Sequence, residues 1–179
     1  MREAQMQVTP EGQVPLDGGW FVANLGRLAW ESAPGFGTWR DFNAPDADPD
    51  GPGIGVHVHV FQPGESNGYY HEEDAQEGFL VLSGECVAVV EGEERRMRQW
   101  DYFHSPPGTA HITVGAGDEP CAILMFGSPD PRRAVTWIAN ATAARYGASV
   151  ERTTTRDSEA YGDLPAVRRV PARRPFGPS

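Results

Sequence analysis

The segment 69-YYHEEDAQEGFLVLSGE-85 places one histidine and five carboxylates around the start of an apolar run. The run GFLVL at 78–82 is typical of a buried β-strand. The preceding EEDAQ at 72–76 is polar and lacks β-branched residues, so the chain can reverse direction there. A cluster of this kind is either a solvated turn or part of a metal site. The rest of the sequence is interpreted around that choice.

Strand-like runs recur through the middle of the chain, and Gly- or Pro-containing turns separate them. They are IGVHVHVF (54–61), GFLVL (78–82), CVAVV (86–90), WDYFHS (100–105), HITV (111–114) and CAILMF (121–126). This spacing is typical of an all-β domain, in which a closed barrel protects the strand edges. We therefore predict a β-barrel at 54–127.

Two extensions flank the predicted barrel. Residues 1–53 form an N-terminal extension that ends in a Pro/Asp loop at 44–53, which we expect to be an exposed linker. Residues 128–179 contain a predicted helix from Ala134 to Tyr146 and an Arg/Pro-rich arm, either packed or disordered. The apolar residues of these extensions should cover the barrel or bury a two-fold homodimer interface. They are Trp20, Phe21, Trp30, Trp39 and Trp137.

Charge and composition exclude several classes of function. The chain of 179 residues has a formal net charge of −10, which repels phosphate backbones, so we expect no nucleic-acid binding. It has neither a long apolar run nor a secretory signal, so we expect a cytoplasmic protein without a membrane segment. Every basic residue is Arg, which excludes a Lys nucleophile or Schiff base. Cys86 and Cys121 lie in apolar runs and are predicted to be buried, reduced thiols.

His71, Glu77 and His111 are the predicted metal ligands. On one straight strand His71 and Glu77 would lie about 20 Å apart, so they can share an ion only if the chain reverses between them. His111 would be aimed by the turn at 106–108, PPG, which directs the chain into the next strand. Two imidazoles and one carboxylate leave coordination positions open, which favours Fe(II) with O₂ and substrate. Zn²⁺, Mn²⁺, Ni²⁺ or Cu²⁺ fit the same donors.

The segment HEEDAQEGFLVLSGE resembles the first motif of the cupin superfamily, G-x5-H-x-H-x3,4-E-x6-G. His71, Glu77 and Gly84 stand at matching places, and Glu73 occupies the place of the second His. The resemblance implies a double-stranded β-helix, or jelly-roll barrel, with a metal inside. The spacing of the two His and the Glu is further similar to the iron site of 3-hydroxyanthranilate 3,4-dioxygenase, which implies three protein ligands.

The segment PPGTAH resembles the second cupin motif, G-x5-P-x-G-x2-H-x3-N. Pro106, Gly108 and His111 match it, and Gly115 stands at the Asn place. Cupins include oxygenases, isomerases and non-enzymatic proteins, so the resemblance indicates fold more specifically than reaction.

Three further residues are candidates for proton transfer beside the metal. Glu73 is a fourth ligand, a general base or a solvated turn residue. Tyr69 shares strand parity with His71, which would direct its hydroxyl into the pocket. His104 lies seven residues before His111 and is either a pocket residue or a structural His.

His57 and His59 form a second HxH, in VHVHV. Alternation puts both His on one face of a strand and the valines on the other. If the valines face the core, the two His face solvent or a partner chain.

These observations predict a metal-dependent enzyme that acts on a small organic molecule. A dioxygenase-like oxidoreductase using Fe(II) is the leading class, with Glu73, Tyr69 or His104 handling protons. The alternative is a non-catalytic cupin that binds or senses a small ligand through the metal.

Overall fold

The computed structural model describes residues 2–42, 53–128, 130, 132–162, 164 and 166–176. The predicted linker at 44–53 lies outside the described residues except for Gly53. Within them the strands are β1 Met6–Thr9, β2 Gly12–Pro15, β3 Ala29–Ser32, β4 Thr38–Asp41, β5 Gly55–Phe61, β6 His71–Glu73, β7 Glu77–Ser83, β8 Glu85–Val90, β9 Glu93–Arg98, β10 Tyr102–Ser105, β11 His111–Ala116, β12 Cys121–Gly127, β13 Val135–Trp137 and β14 Arg168–Pro171. The helices are α1 Ala141–Ala144 and α2 Asp157–Tyr161, and Leu25–Arg27 form a 3₁₀ turn.

Two large antiparallel sheets pack face to face. One has the order β10-β7-β12-β5-β4-β3-β14 and the other the order β13-β6-β11-β8-β9, while β1 and β2 form a separate hairpin. Phe61, Phe79 and Ile123 of the first sheet share a buried cluster with Cys86 and Ala88 of the second. The predicted all-β jelly roll is therefore confirmed.

The outer face of each sheet is also covered. Ile112 and Val89 of the five-stranded sheet pack with Ala143 of α1. Val58 and Val60 of the seven-stranded sheet pack with Trp30 of β3 and Ala172, which follows β14. Both faces of β8 and β11 are buried, which explains why their sequences are almost continuously apolar.

The Arg/Pro-rich arm is packed in its described part, because β14 pairs with β3 and Phe176 stacks on Trp30. Trp30 is fully buried, whereas Trp20 is half exposed. The expected homodimer stays a prediction, as does the division into three regions.

The predicted helix from Ala134 to Tyr146 is wrong in its first half. Val135–Trp137 form β13, which pairs with β6, and the helix is limited to Ala141–Ala144. The side chain of Asn140 accepts hydrogen bonds from the backbone N–H groups of Thr142 and Ala143, so it caps the helix at this point. The β-branched residues before Asn140 pair with a neighbouring strand, and this long-range contact overrides the local pattern.

The six predicted strands are all present, and the strands of the predicted barrel that were missed are the short β6 and the longer β9. Its sequence, EERRMR, is charged because β9 is an edge strand with most side chains exposed. Cys86 and Cys121 are buried, free thiols, as expected. Neither helix in the described part of the chain is long or apolar enough to cross a membrane.

Candidate metal centre and cavity

His71, Glu77 and His111 come together between the two sheets. One ligand atom from each lies within 4.8 Å of the others. His71 and His111 stand directly opposite each other on the neighbouring strands β6 and β11. The chain reverses through residues 74–76, as predicted, and Glu77 begins β7 in the facing sheet. His71 is the first residue of β6, and the backbone N–H of the preceding Tyr70 donates a hydrogen bond to the carbonyl oxygen of Ala148.

The backbone sets the tautomer of both imidazoles. His71 Nδ1–H donates to the carbonyl oxygen of Tyr69 at 2.8 Å, and His111 Nδ1–H donates to that of Thr109 at 2.9 Å. Each carbonyl belongs to the residue two positions earlier. The lone pair of each Nε2 is therefore directed away from the backbone and is available to a metal.

Two buried atoms of this cluster lack a hydrogen-bond partner in the part of the chain that the structure describes. They are His111 Nε2 and Glu77 Oε2, which lie 3.2 Å apart without hydrogen-bond geometry. Unpaired buried polar atoms cost free energy, and a shared cation would satisfy both. Two imidazole nitrogens and a carboxylate oxygen are donors that Fe(II) and Zn²⁺ take, so the residues fit a divalent metal.

Without a metal, the three groups influence one another's protonation. Burial works to lower the pKa of His111, but the adjacent Glu77 carboxylate outweighs it and raises that pKa. Burial works to raise the pKa of Glu77, and the two imidazoles outweigh it and lower that pKa. Burial, with the charge of His111, lowers the pKa of His71. Metal binding requires neutral imidazoles and an ionised carboxylate, so a metal ion would compete with protons at all three groups.

The triad opens onto a cavity of about 590 Å³. Its wall is formed by both sheets and by segments from the two extensions. Besides the triad residues His71 and Glu77, the lining includes Phe36, Trp39, Asp41, His57, His59, Asn67, Gly68, Glu73, Phe79, Met125, Arg133, Tyr161, Leu164 and Val167. A small organic molecule fits this volume, and the lining mixes apolar and titratable side chains, as ligand sites do.

Glu73 lies on the same face of β6 as His71 and lines the cavity. Its carboxylate accepts a hydrogen bond of 2.6 Å from Arg133 Nε, and its side chain is 4% exposed. Burial and the charge of Glu77 raise the pKa of Glu73 despite this contact. The solvated-turn interpretation of Glu73 is therefore wrong. Its oxygen is not among the triad's clustered ligand atoms.

Tyr69 and His104 lie outside the cavity lining. Tyr69 stacks on Tyr161, so its ring lies behind the wall, and its contribution is the carbonyl that holds His71. His104 is exposed on the outer face of β10, because the neighbouring Phe103 takes the inward position against Phe79. The expectation that either side chain lines this pocket is corrected.

His57 and His59 face the cavity, which the sequence analysis missed. The valines of β5 do face apolar surroundings, but these are built by Trp30 and the C-terminal arm on the outer face of the sheet. His59 Nε2–H donates to the carbonyl of Phe36 at 2.7 Å, and burial lowers the pKa of His59 to about 3. Burial also lowers the pKa of His57, against the charge of Asp41. The alternation of Val and His in VHVHV was the sequence signal that could have predicted one shared direction for His57 and His59.

Tyr161 and Arg133 are further cavity residues that sequence analysis missed. They belong to the C-terminal region, far in sequence from both motifs, and no local pattern marks either one.

A family model described as "Cupin domain" matches residues 57–127. A sugar phosphate isomerase of the cupin superfamily from Silicibacter pomeroyi is 26% identical, over 46% of this chain and 54% of that one, with a TM-score of 0.44. The DMSP lyase DddQ from Ruegeria pomeroyi is 26% identical, over 48% and 43% of the two chains, with a TM-score of 0.41.

A cupin 2 domain-containing protein from Halorhodospira halophila is 18% identical, over 62% of this chain and 75% of that one, with a TM-score of 0.48. This chain spans about half the length of the isomerase and the lyase. No curated protein matches it significantly. The similarity of the predicted metal site to the iron site of 3-hydroxyanthranilate 3,4-dioxygenase stays a prediction. Residues 57–127 of this chain are a cupin domain.

Proposed function

We propose that this protein is a metal-dependent enzyme that converts a small organic molecule in the cavity beside His71, Glu77 and His111. The observation that carries the proposal is that two buried ligand atoms of the triad, His111 Nε2 and Glu77 Oε2, have no hydrogen-bond partner among the described residues. An ion held there would have open coordination positions on the cavity side, because the chain supplies three clustered ligand atoms.

Fe(II) is the metal that we propose, and O₂-dependent oxidation is the reaction class. Two His and one carboxylate with open positions are the donor set of non-haem Fe(II) oxygenases, and the ion supplies redox chemistry with O₂ when bound. The residues of the chain orient the metal ligands and line the cavity. The Tyr69 and Thr109 carbonyl groups accept hydrogen bonds from the Nδ1–H groups of His71 and His111, which leaves Nε2 of each ring as the metal ligand. The apolar side chains Phe79 and Met125 line part of the cavity and limit access of water.

Glu73 and His57 are the proposed proton-transfer groups. Glu73 stands on the strand face of His71 and lines the cavity, so its carboxylate lies on the reacting side of the triad. Arg133 fixes its orientation through the 2.6 Å hydrogen bond. His57 lines the cavity from β5 in the facing sheet. Titratable groups on two walls favour turnover over simple ligand binding.

The test is O₂ consumption after anaerobic loading with Fe(II), measured against a panel of small metabolites. We expect substrate-dependent O₂ uptake by the wild type and none by His71→Ala prepared in the same way. Stoichiometric Fe(II) binding without uptake for any substrate class would contradict the enzyme and support the alternative, a ligand-binding or sensing cupin. Failure to bind any divalent metal would contradict both.

A further inference from the structure

The hydroxyl group of Tyr161 is held so that it can only donate. Its oxygen accepts a hydrogen bond from the backbone N–H of Tyr69 at 3.2 Å and another from Trp137 Nε1–H at 3.2 Å. A phenolic oxygen has two lone pairs for accepting hydrogen bonds, and both are used. The O–H hydrogen has no acceptor among the described residues, and Tyr161 lines the cavity. It is therefore available to an oxygen of a bound molecule.

The ring of Tyr161 is fixed from three sides. It stacks on Tyr69 with ring centroids 5.1 Å apart, and it makes edge contacts with Trp137 at 5.6 Å and Phe36 at 6.0 Å. Gly68 allows the close approach of the hydroxyl, because a Cβ at this position would lie 2.9 Å from it. A donor held this firmly loses little conformational entropy when it binds a ligand.

Arg133 offers a second donor on the same cavity. Its Nε–H binds Glu73, and its Nη1–H binds the backbone carbonyl of Asp130 at 3.2 Å. No partner for Nη2 is found in the described ranges. The Arg133 side chain is 35% exposed and lines the cavity, so this end of the guanidinium can reach a ligand.

The charge of the inner wall favours an anion once a divalent metal is bound. With neutral imidazoles, the ion and Arg133 outweigh the carboxylates of Glu73 and Glu77 by one positive charge. Asp41, at the exposed end of β4, is a further acid of the lining, and with it the charges of the whole lining cancel. An anion that contacts the ion and Arg133 meets positive charge there, and the described residues provide no competing acceptor for the Tyr161 O–H or for Arg133 Nη2.

We propose that Tyr161 and Arg133 recognise a carboxylate group of the small molecule bound at the metal centre. This inference rests on the proposed function for the metal and adds the substrate class, a small carboxylic acid. Both recognising residues come from the region after the cupin domain. The barrel would thus hold the metal and the C-terminal region would select the ligand.

The test is calorimetric titration of the Zn²⁺-loaded protein with benzoate and with benzamide, its neutral counterpart of the same shape. We expect benzoate to bind at least about tenfold more tightly than benzamide, since hydrogen bonds to charged groups are the stronger ones. Tyr161→Phe should weaken benzoate binding by about tenfold or more and leave benzamide binding within about twofold. A merely structural role would weaken both ligands equally.

Tyr70→Phe is the matched control. It makes the same chemical change and also removes the acceptor of an N–H group, that of Gly92, but Tyr70 is buried in the cluster beneath α1 and does not line the cavity. We expect no change in the preference for benzoate. Gly68→Ala should displace the intact Tyr161 hydroxyl and reduce the preference. Gly64→Ala also substitutes a glycine of positive φ, but the space around this position is open. This variant should therefore keep the preference for benzoate.

Arg133 is tested with Glu73→Gln/Arg133→Gln, which removes the ion pair without leaving a buried carboxylate unpaired. We expect this double variant to lose most of the preference for benzoate. Equal binding of benzoate and benzamide by the wild type would overturn the proposal while leaving the metal site intact. If no metal binds, the proposed function fails, and the same titrations on metal-free protein still test whether benzoate binding depends on Tyr161.

Discussion

The cavity has two walls that differ in how their residues are encoded. The metal wall carries His71, Glu77 and His111, each at the first residue of a strand and close to a turn. The ligand wall carries Arg133 and Tyr161, which reach the cavity from separate segments of the C-terminal region. The residues of the metal wall belong to short motifs of fixed spacing. Those of the ligand wall reach the cavity through contacts between residues far apart in sequence.

We infer that the metal wall binds the ion and the ligand wall selects the bound molecule. Strand pairing across β6 and β11 places the two imidazoles opposite each other, so the metal wall follows from the barrel itself. The aromatic packing around Tyr161 includes one residue from each extension, Phe36 and Trp137. We therefore expect substitutions in the metal wall to change metal content, and those in the ligand wall to change selectivity.

The largest expected effect is on metal content. Loss of a residue that only orients a metal ligand costs about 10–100-fold in affinity, so His111→Ala should cost more than about 100-fold. Elemental analysis after loading with one equivalent of Zn²⁺ and gel filtration measures this. His104→Ala is the matched control. His104 is exposed on β10, so this variant should retain the metal. Equal metal content in the two variants would contradict the assignment of the metal wall.

Acid sensitivity should depend on His59. Its pKa is about 3 in the folded protein and near 6.5 when unfolded, so the unfolded chain takes up a proton that the folded one does not. The contribution to stability is therefore lost as the pH falls from about 6.5 towards 3. Between pH 7 and pH 4 the wild type should lose about 3 kcal/mol more unfolding free energy than His59→Gln.

Urea unfolding at the two pH values measures this difference. His104→Gln serves as the control and should keep the wild-type dependence, since the side chain is exposed. Identical pH dependence in the wild type and His59→Gln would show that the imidazole is not held neutral against Phe36.

Metal binding should stabilise the fold by linkage. At a free Zn²⁺ concentration 100 times the dissociation constant, the unfolding free energy should rise by about 2.7 kcal/mol. Thermal unfolding with and without Zn²⁺ tests this, with chelator added to reverse the shift. His71→Ala should show no shift. A similar shift in that variant would mean that the ion binds elsewhere.

The smallest expected effect is that of Glu73→Gln on metal affinity. Glu73 binds Arg133 and contributes no atom to the triad's cluster of ligand atoms, so affinity should change by less than about threefold. Competition with a fluorescent chelator measures it. A loss of tenfold or more would instead make Glu73 a fourth ligand.

The sequence predicted the cluster of His71, Glu77 and His111 and six strands of the barrel, because turns and alternation are local signals. It did not predict the inward direction of His57 and His59, since the outer cover that buries the valines of β5 comes from Trp30 and Ala172. It placed Tyr69 in the pocket by strand parity, but the ring of Tyr161 takes that space. Each of these errors came from a long-range contact that no short segment encodes.

The most direct test of the central claim is X-ray absorption at the metal edge of the loaded protein. The account predicts two imidazole nitrogens and one carboxylate oxygen at about 2.0–2.2 Å, with the imidazole signal lost in His71→Ala. A coordination shell without imidazole, or one unchanged in His71→Ala, would contradict it.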